Sequence, residues 1–168
     1  MNARAFAPPE APAEGAVEFS ETVEIAADAA RVWRALTDPS EVVLWDTGVV
    51  RPLEIARDYP QPGQATRWRY ELGPLRLTLR DFPVEVVEQR TFRSLIRLGP
   101  FCFDETYSLH EVAREGGVAG TRLTAKLVLW SEVSLLGGLL TRWIGRPTAA
   151  SVVRHSLEAI RAHCEARN

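Results

Sequence analysis

Cysteine, histidine and net charge are all scarce in this chain, and each shortage narrows what it can do. Its two cysteines, Cys102 and Cys164, lie far apart with no Cys-x-x-Cys or Cys/His spacing. That argues against a zinc site or a disulfide framework, and both read as small apolar residues. Formal net charge is only -2, and the arginines are scattered rather than gathered in one block, so no nucleic-acid footprint is present. No apolar run reaches the roughly 18 residues a membrane span needs. The most apolar stretch, Val133 to Ile144, is interrupted by Gly137, Gly138, Thr141 and Arg142. Residues 1–15, rich in Ala and Pro, lack the apolar core of a secretory signal and read as a disordered leader. The remainder, 16–168, is long enough for one domain with a real core and too short for two. A cytoplasmic protein is the expectation.

What the chain does have is alternation. Val17, Phe19, Val23 and Ile25 recur at every second position except Glu21, which predicts a half-buried strand over Val17 to Ile25. Asp28 then caps a predicted helix bearing Val32, Trp33 and Leu36, and Asp38-Pro39 breaks it before a second short helix, Ser40 to Trp45. Beyond lie hairpin-linked strands: Thr66, Trp68, Tyr70 and Leu72 on one face, and, after the Gly73-Pro74 turn, Leu75, Leu77 and Leu79. Pro83 would remove a ladder donor from a long strand, which places a bulge or bend near Phe82-Pro83 and lets the sheet curl. Strands follow at Thr91 to Leu98, Phe101 to Val112 and Thr121 to Trp130, the last two linked through Glu115-Gly116-Gly117. From Ser134 to about Ala166 the period turns helical, with Val153, Leu157, Ile160 and Cys164 as the apolar stripe. Pro147 should interrupt it, setting off a Leu- and Gly-rich part, Leu135 to Ile144, as a candidate lid. The expected class is α+β, an antiparallel curved sheet closed by a C-terminal helix.

One acidic residue breaks the pattern. Glu105 stands in register with Phe101, Phe103, Tyr107 and Leu109 on an otherwise apolar strand face. A lone buried carboxylate is costly unless paired or hydrogen-bonded, so its place points to an internal pocket with a polar anchor. A structural role, bonded to a neighbouring strand or to Arg142, is the competing reading. Alternation also turns Glu21, Thr66, Trp68, Tyr70, Asp81, Ser94 and Tyr107 inward. Glu21 fits a solvated rim equally well, and the side taken by Asp81 depends on the bend at Pro83. The aromatics Trp68, Tyr70, Phe101, Phe103 and Tyr107 would serve as core in most sheets, but here core face and pocket face coincide. Leu77, Leu127 and, from the closing segment, Leu140 and Arg142 complete the candidate ligand wall. His110, His155 and His163 fall off the apolar faces, and none reads as a general base. Arg67, Arg69, Arg76, Arg80, Arg93 and Arg97 project from the opposite sheet face as a basic convex surface.

Two stretches also carry a family likeness. Val23-Glu24-Ile25-Ala26-Ala27-Asp28-Ala29-Ala30-Arg31-Val32-Trp33, with Ala35 to Pro39 and Trp45, and Gly120-Thr121-Arg122-Leu123-Thr124 resemble the START/Bet v 1-like (SRPBCC), polyketide cyclase/dehydrase superfamily. The resemblance implies a helix-grip fold: seven antiparallel strands wrapped around a long C-terminal helix, with a deep apolar cavity between them. Members hold lipids, sterols, polyketides or plant-hormone-like molecules; some are cyclases or dehydratases and many only bind. Aromatic polyketide cyclases line the cavity with Arg, Tyr, Trp and hydroxyl groups, where this chain offers Leu75, Leu77 and Leu79. No cofactor and no metal is expected. The leading expectation is a carrier of a hydrophobic, ring-containing molecule. A cyclase or dehydratase using Glu105 as general acid or base, helped by Tyr70 or Tyr107, is the alternative. A surface-acting module of the chaperone-activating kind rests on the outer arginines alone.

Overall fold

A computed structural model describes residues 7–10, 16–113, 119–131 and 146–166. Among these, seven strands form one antiparallel sheet: β1 (Val17–Ile25), β2 (Val49–Glu54), β3 (Thr66–Leu72), β4 (Leu75–Val87), β5 (Thr91–Leu98), β6 (Phe101–Ala113) and β7 (Ala119–Ser131). The spatial order β1-β7-β6-β5-β4-β3-β2 is a meander from β2 to β7 with the first strand added beside the last. Helices α1 (Ala29–Thr37) and α2 (Pro39–Trp45) follow β1, and α3 (Arg146–Glu165) closes the chain. The Leu135 to Ile144 segment, with Leu140 and Arg142, and the Glu115-Gly116-Gly117 turn lie outside the described residues.

Local chemistry sets the helix ends. The Asp28 side chain accepts from the Arg31 N–H at 2.7 Å, capping α1, and Asp38 accepts from the Ser40 N–H at 2.8 Å, capping α2 with Pro39 in its first turn. Proline there does not merely end the first helix; it begins the second. The stripe of α3 is buried as its period predicts, with Leu157, Ile160 and Cys164 at 2% exposure or less. It packs against Phe19, Val23 and Ile25 of β1, Val32 and Leu36 of α1, and Leu109 and Leu123 of the sheet. Both cysteines are buried, and burial pushes the Cys164 thiol up to about 11.

Strand β2 has no alternation to betray it. Its register against β3 shifts twice, between Val49 and Arg51 and between Pro52 and Glu54, so no period of two survives over its length. The bend expected near Pro83 is present as a register shift between Pro83 and Glu85. It moves the inward parity from Asp81 before it to Val86 after it, and Val86 then packs on the core opposite Phe92.

The convex face is not a bare basic surface. Arg67 pairs with Glu54 at 3.2 Å, Arg76 with Glu71 at 3.3 Å, and Arg93 grips Asp104 through both Nε and Nη2 at 2.9 and 2.7 Å. Three of its six arginines are thus offset by interleaved carboxylates.

Candidate functional site

Alternation on three neighbouring strands brings a polar cluster to the inner face. Asp81 of β4 precedes the bulge and therefore stays inward, 6% exposed. Ser94 of β5, buried beside it, donates its hydroxyl to Asp81 Oδ1. Ser94 stands directly opposite Glu105 of β6. Tyr107, two residues on and so on the same face, donates its hydroxyl to Glu105 Oε1 at 3.0 Å.

Two further members come from outside the strands. Tyr59, in the connection between β2 and β3, donates to Asp81 Oδ2 at 3.1 Å. Its ring is held edge-on between Trp68 and Phe92, with centroids 6.2 and 6.4 Å away. The connection is closed at its base by the Ala56 N–H on the buried Thr66 hydroxyl at 3.1 Å. Asp46 is the C-cap of α2; its side chain accepts from the Gly48 N–H at 2.9 Å.

All members of the cluster except Ser94 line a cavity of about 100 Å³. Trp68, Phe92, Ile96 and Tyr107 wall it on the sheet side, Trp45 and Ser156 on the helix side, and Asp46, Asp81 and Glu105 supply its carboxylates. Glu105 is half-buried, and it lines this cavity. Burial pushes its carboxyl up to about 7; the Tyr107 hydrogen bond opposes this, and the negative charges of Asp46 and Asp81 reinforce it. Burial likewise raises Asp81 to about 6 against the hydrogen bonds from Ser94 and Tyr59, and it raises Asp46 against those from Gly48 and Val49. Burial and the neighbouring carboxylates push Tyr59 and Tyr107 well above the usual phenol range, so both remain protonated donors. A larger groove of about 790 Å³ opens at the β4–β5 turn, lined by Glu88, Arg90, His110 and Glu111. It is polar and open to solvent, without the aromatic walls that would hold an apolar ligand.

Of the residues expected from sequence to meet a ligand, Trp68, Glu105 and Tyr107 line this cavity, whereas Tyr70, Leu77, Phe101, Phe103 and Leu127 are not part of its lining. Leu127 packs against the main core instead. Glu21 reaches Arg154 of α3 at 2.9 Å, an ion pair at the sheet edge. His163, which did not read as a general base, lies 3.0 Å from Glu41 in a buried cluster outside the cavity lining. Tyr59 and Asp46 are additions: neither belongs to a periodic element, so alternation could not find them.

Tyr70 stands just behind the lining, its hydroxyl raised to about 12 by burial and by the charges of Asp46 and Glu105. Gly48 leaves room for it. A Cβ there would fall 2.3 Å from Tyr70 Cζ, and Gly48 cannot retreat because its carbonyl accepts from the Glu71 N–H at 2.8 Å. Gly48→Ala is therefore expected to cost about 1–2 kcal/mol in thermal melts by overpacking, and to cost nothing further in a Tyr70→Ala background.

A sheet of seven antiparallel strands, two short helices after the first strand and a C-terminal helix, with a cavity between sheet and helices, define the helix-grip class. The chain belongs to the polyketide cyclase/dehydrase and lipid transport family, whose model matches residues 16–166. No curated protein matches it. Among solved structures it is similar to a START superfamily protein from Mycobacterium smegmatis, with 16% identity, TM-score 0.69, and 90% of this chain and 99% of that one covered. It is also similar to TTHA0849 from Thermus thermophilus, with 20% identity, TM-score 0.67 and the same coverages. A third is Ara h 8.0201, with 12% identity, TM-score 0.65, and 89% and 95% covered. These likenesses establish the fold alone. Among the described residues no helix is long and apolar enough to cross a membrane, and no group of His, Cys, Asp and Glu is placed to hold a metal ion.

Proposed function

We propose that the protein binds a small, largely hydrophobic, ring-bearing molecule in this cavity, as a carrier or sequestering protein, with Trp68, Phe92 and Tyr107 as walls and Glu105 as polar anchor. The observation that carries the reading is the combination of aromatic walls with a carboxyl pushed up to about 7 at one cavity. Keeping a desolvated carboxylate there costs stability, a cost that a packed core would avoid with an apolar side chain. About 100 Å³ is small beside ligand pockets of about 300–1,000 Å³; an apolar cavity of about 150 Å³ takes up benzene. A single ring is therefore the upper limit for the cavity itself, and any substituent on it reaches into the open side.

A second reading has its own support. Asp81 at about 6 and Glu105 at about 7 bracket the range where one carboxyl can give a proton while another takes one. That is the equipment of a cyclase or dehydratase, with Tyr107 orienting Glu105 and Tyr59 orienting Asp81.

Native mass spectrometry of freshly purified wild type beside Tyr107→Ala and Glu105→Gln separates the two. A carrier retains one unaltered small molecule on wild type and loses it in Tyr107→Ala. An enzyme retains a molecule on Glu105→Gln that wild type does not hold. Absence of any adduct on all three, together with failure of single-ring compounds to bind on titration, contradicts the cavity reading.

A further inference from the structure

The cavity reading can be carried to the chemistry of the occupant. Among the described residues, every charged group in the lining is a carboxylate: Asp46, Asp81 and Glu105, with no lysine, arginine or histidine. The two tyrosine hydroxyls in the lining donate their single protons to those same carboxylates, Tyr59 to Asp81 and Tyr107 to Glu105. The Trp45 indole N–H is likewise engaged, on the Ala35 carbonyl at 2.8 Å. An anionic head group entering here would meet three like charges and, among the described residues, no counter-charge. A neutral hydroxyl could offer one donor and would leave the field uncompensated. A primary ammonium offers three donors and one positive charge, in surroundings where charge interactions are stronger than in water.

We propose that the cavity selects a single aromatic ring bearing a protonated primary amine, with the ammonium on Glu105 and the ring against Trp68 and Phe92. The proposal rests on the cavity reading and adds the sign of the ligand. Two other features agree with it. Burial, then the charges of Asp46 and Asp81, hold the Glu105 carboxyl up at about 7. A cation beside it would reverse the electrostatic part of that effect and be favoured for doing so. Among the described residues the carboxylates are not grouped to hold a metal ion, and an ammonium needs no such grouping.

The test compares three probes of the same shape, benzylamine, benzyl alcohol and benzoate, by calorimetric or ligand-observed NMR titration at pH 8 and low salt. Wild type is expected to bind benzylamine at least tenfold more tightly than benzyl alcohol, and benzoate most weakly. In Glu105→Gln the preference for amine over alcohol should fall to less than threefold, with alcohol binding retained. Asp81→Asn, checked for folding by its melting curve, provides a second variant in which the preference should also shrink. Benzyl alcohol or benzoate binding as tightly as benzylamine would overturn the proposal and leave the cavity reading intact. An amine preference unchanged in both variants would place the binding elsewhere on the surface and overturn it too. Failure of all three probes to bind would overturn the proposal and the cavity reading together.

Discussion

Glu41→Gln is expected to lower folding stability by about 3 kcal/mol, the cost typical of removing one partner from a buried ion pair. On a chain of this length that amounts to a fall in Tm of about 6–12 °C. Glu41 is 6% exposed and gathers three donors: Arg31 Nη1 at 2.6 Å, Arg34 Nε at 2.8 Å and His163 Nε2 at 3.0 Å. Arg31, itself buried, also donates from Nη2 to the His163 carbonyl at 3.3 Å. One carboxylate therefore ties α1, α2 and the last turn of α3 together, and this holds the closing helix over the cavity. Burial pushes the Glu41 carboxyl up, but the hydrogen bonds from His163 and Arg31 and the charges of Arg31 and Arg34 outweigh it, so its pKa is lowered. Its contribution is thus present above the ordinary carboxyl range and is lost as pH falls through the lowered value. Removing the charge leaves the Arg31 guanidinium buried without compensation. Arg34→Ala is the contrast: that side chain is 59% exposed, and its loss should cost under about 1 kcal/mol. Equal losses from the two substitutions would contradict the account of Glu41 as a buried hub.

The second large effect has the opposite sign. Asp81 and Glu105 rise from 3.8 and 4.5 to about 6 and about 7 on folding, so the folded protein holds protons that the unfolded chain releases. Stability from these two groups is full below about pH 4 and falls as pH rises through 6 and 7. Above that range each ionised carboxyl costs the fold about 3 kcal/mol. Glu105→Gln and Asp81→Asn should therefore each stabilise the protein at pH 8, by about 2 kcal/mol after allowing for imperfect amide hydrogen bonds, and change little at pH 4. Denaturant titrations at the two pH values check this. A gain confined to high pH marks a carboxylate retained at a cost to stability, as expected of a functional group. Loss of stability in both variants at pH 8 would mean that the carboxylates are structural.

Much of the fold was legible because alternation and helical period survive wherever one face is buried. β1 and β5 follow the boundaries their patterns predict, and Val153, Leu157, Ile160 and Cys164 form the buried stripe of α3. β2 was hidden by its two register shifts and by Pro52. The site was half legible for the same reason. Glu105, Trp68 and Tyr107 sit on regular strands, so their inward direction follows from counting by two. Asp81 required knowing on which side of the bulge the parity changes. Tyr59 lies in an irregular connection and meets Asp81, 22 positions away, only through the fold. Asp46 reads in sequence as a cap and nothing more. On the basic convex surface, Glu54, Glu71 and Asp104 become partners of Arg67, Arg76 and Arg93 only once the strands are paired, so these ion pairs were not legible.

The central claim is that Glu105 and Asp81 stand at a cavity where burial holds both carboxyls above the solvated value and where they can meet a ligand. Carboxyl-carbon NMR titration of the two side chains, assigned through Glu105→Gln and Asp81→Asn, tests it directly. Midpoints near 7 for Glu105 and near 6 for Asp81 are the predicted result. Midpoints for both near 4, the value of a solvated carboxyl, would contradict the account.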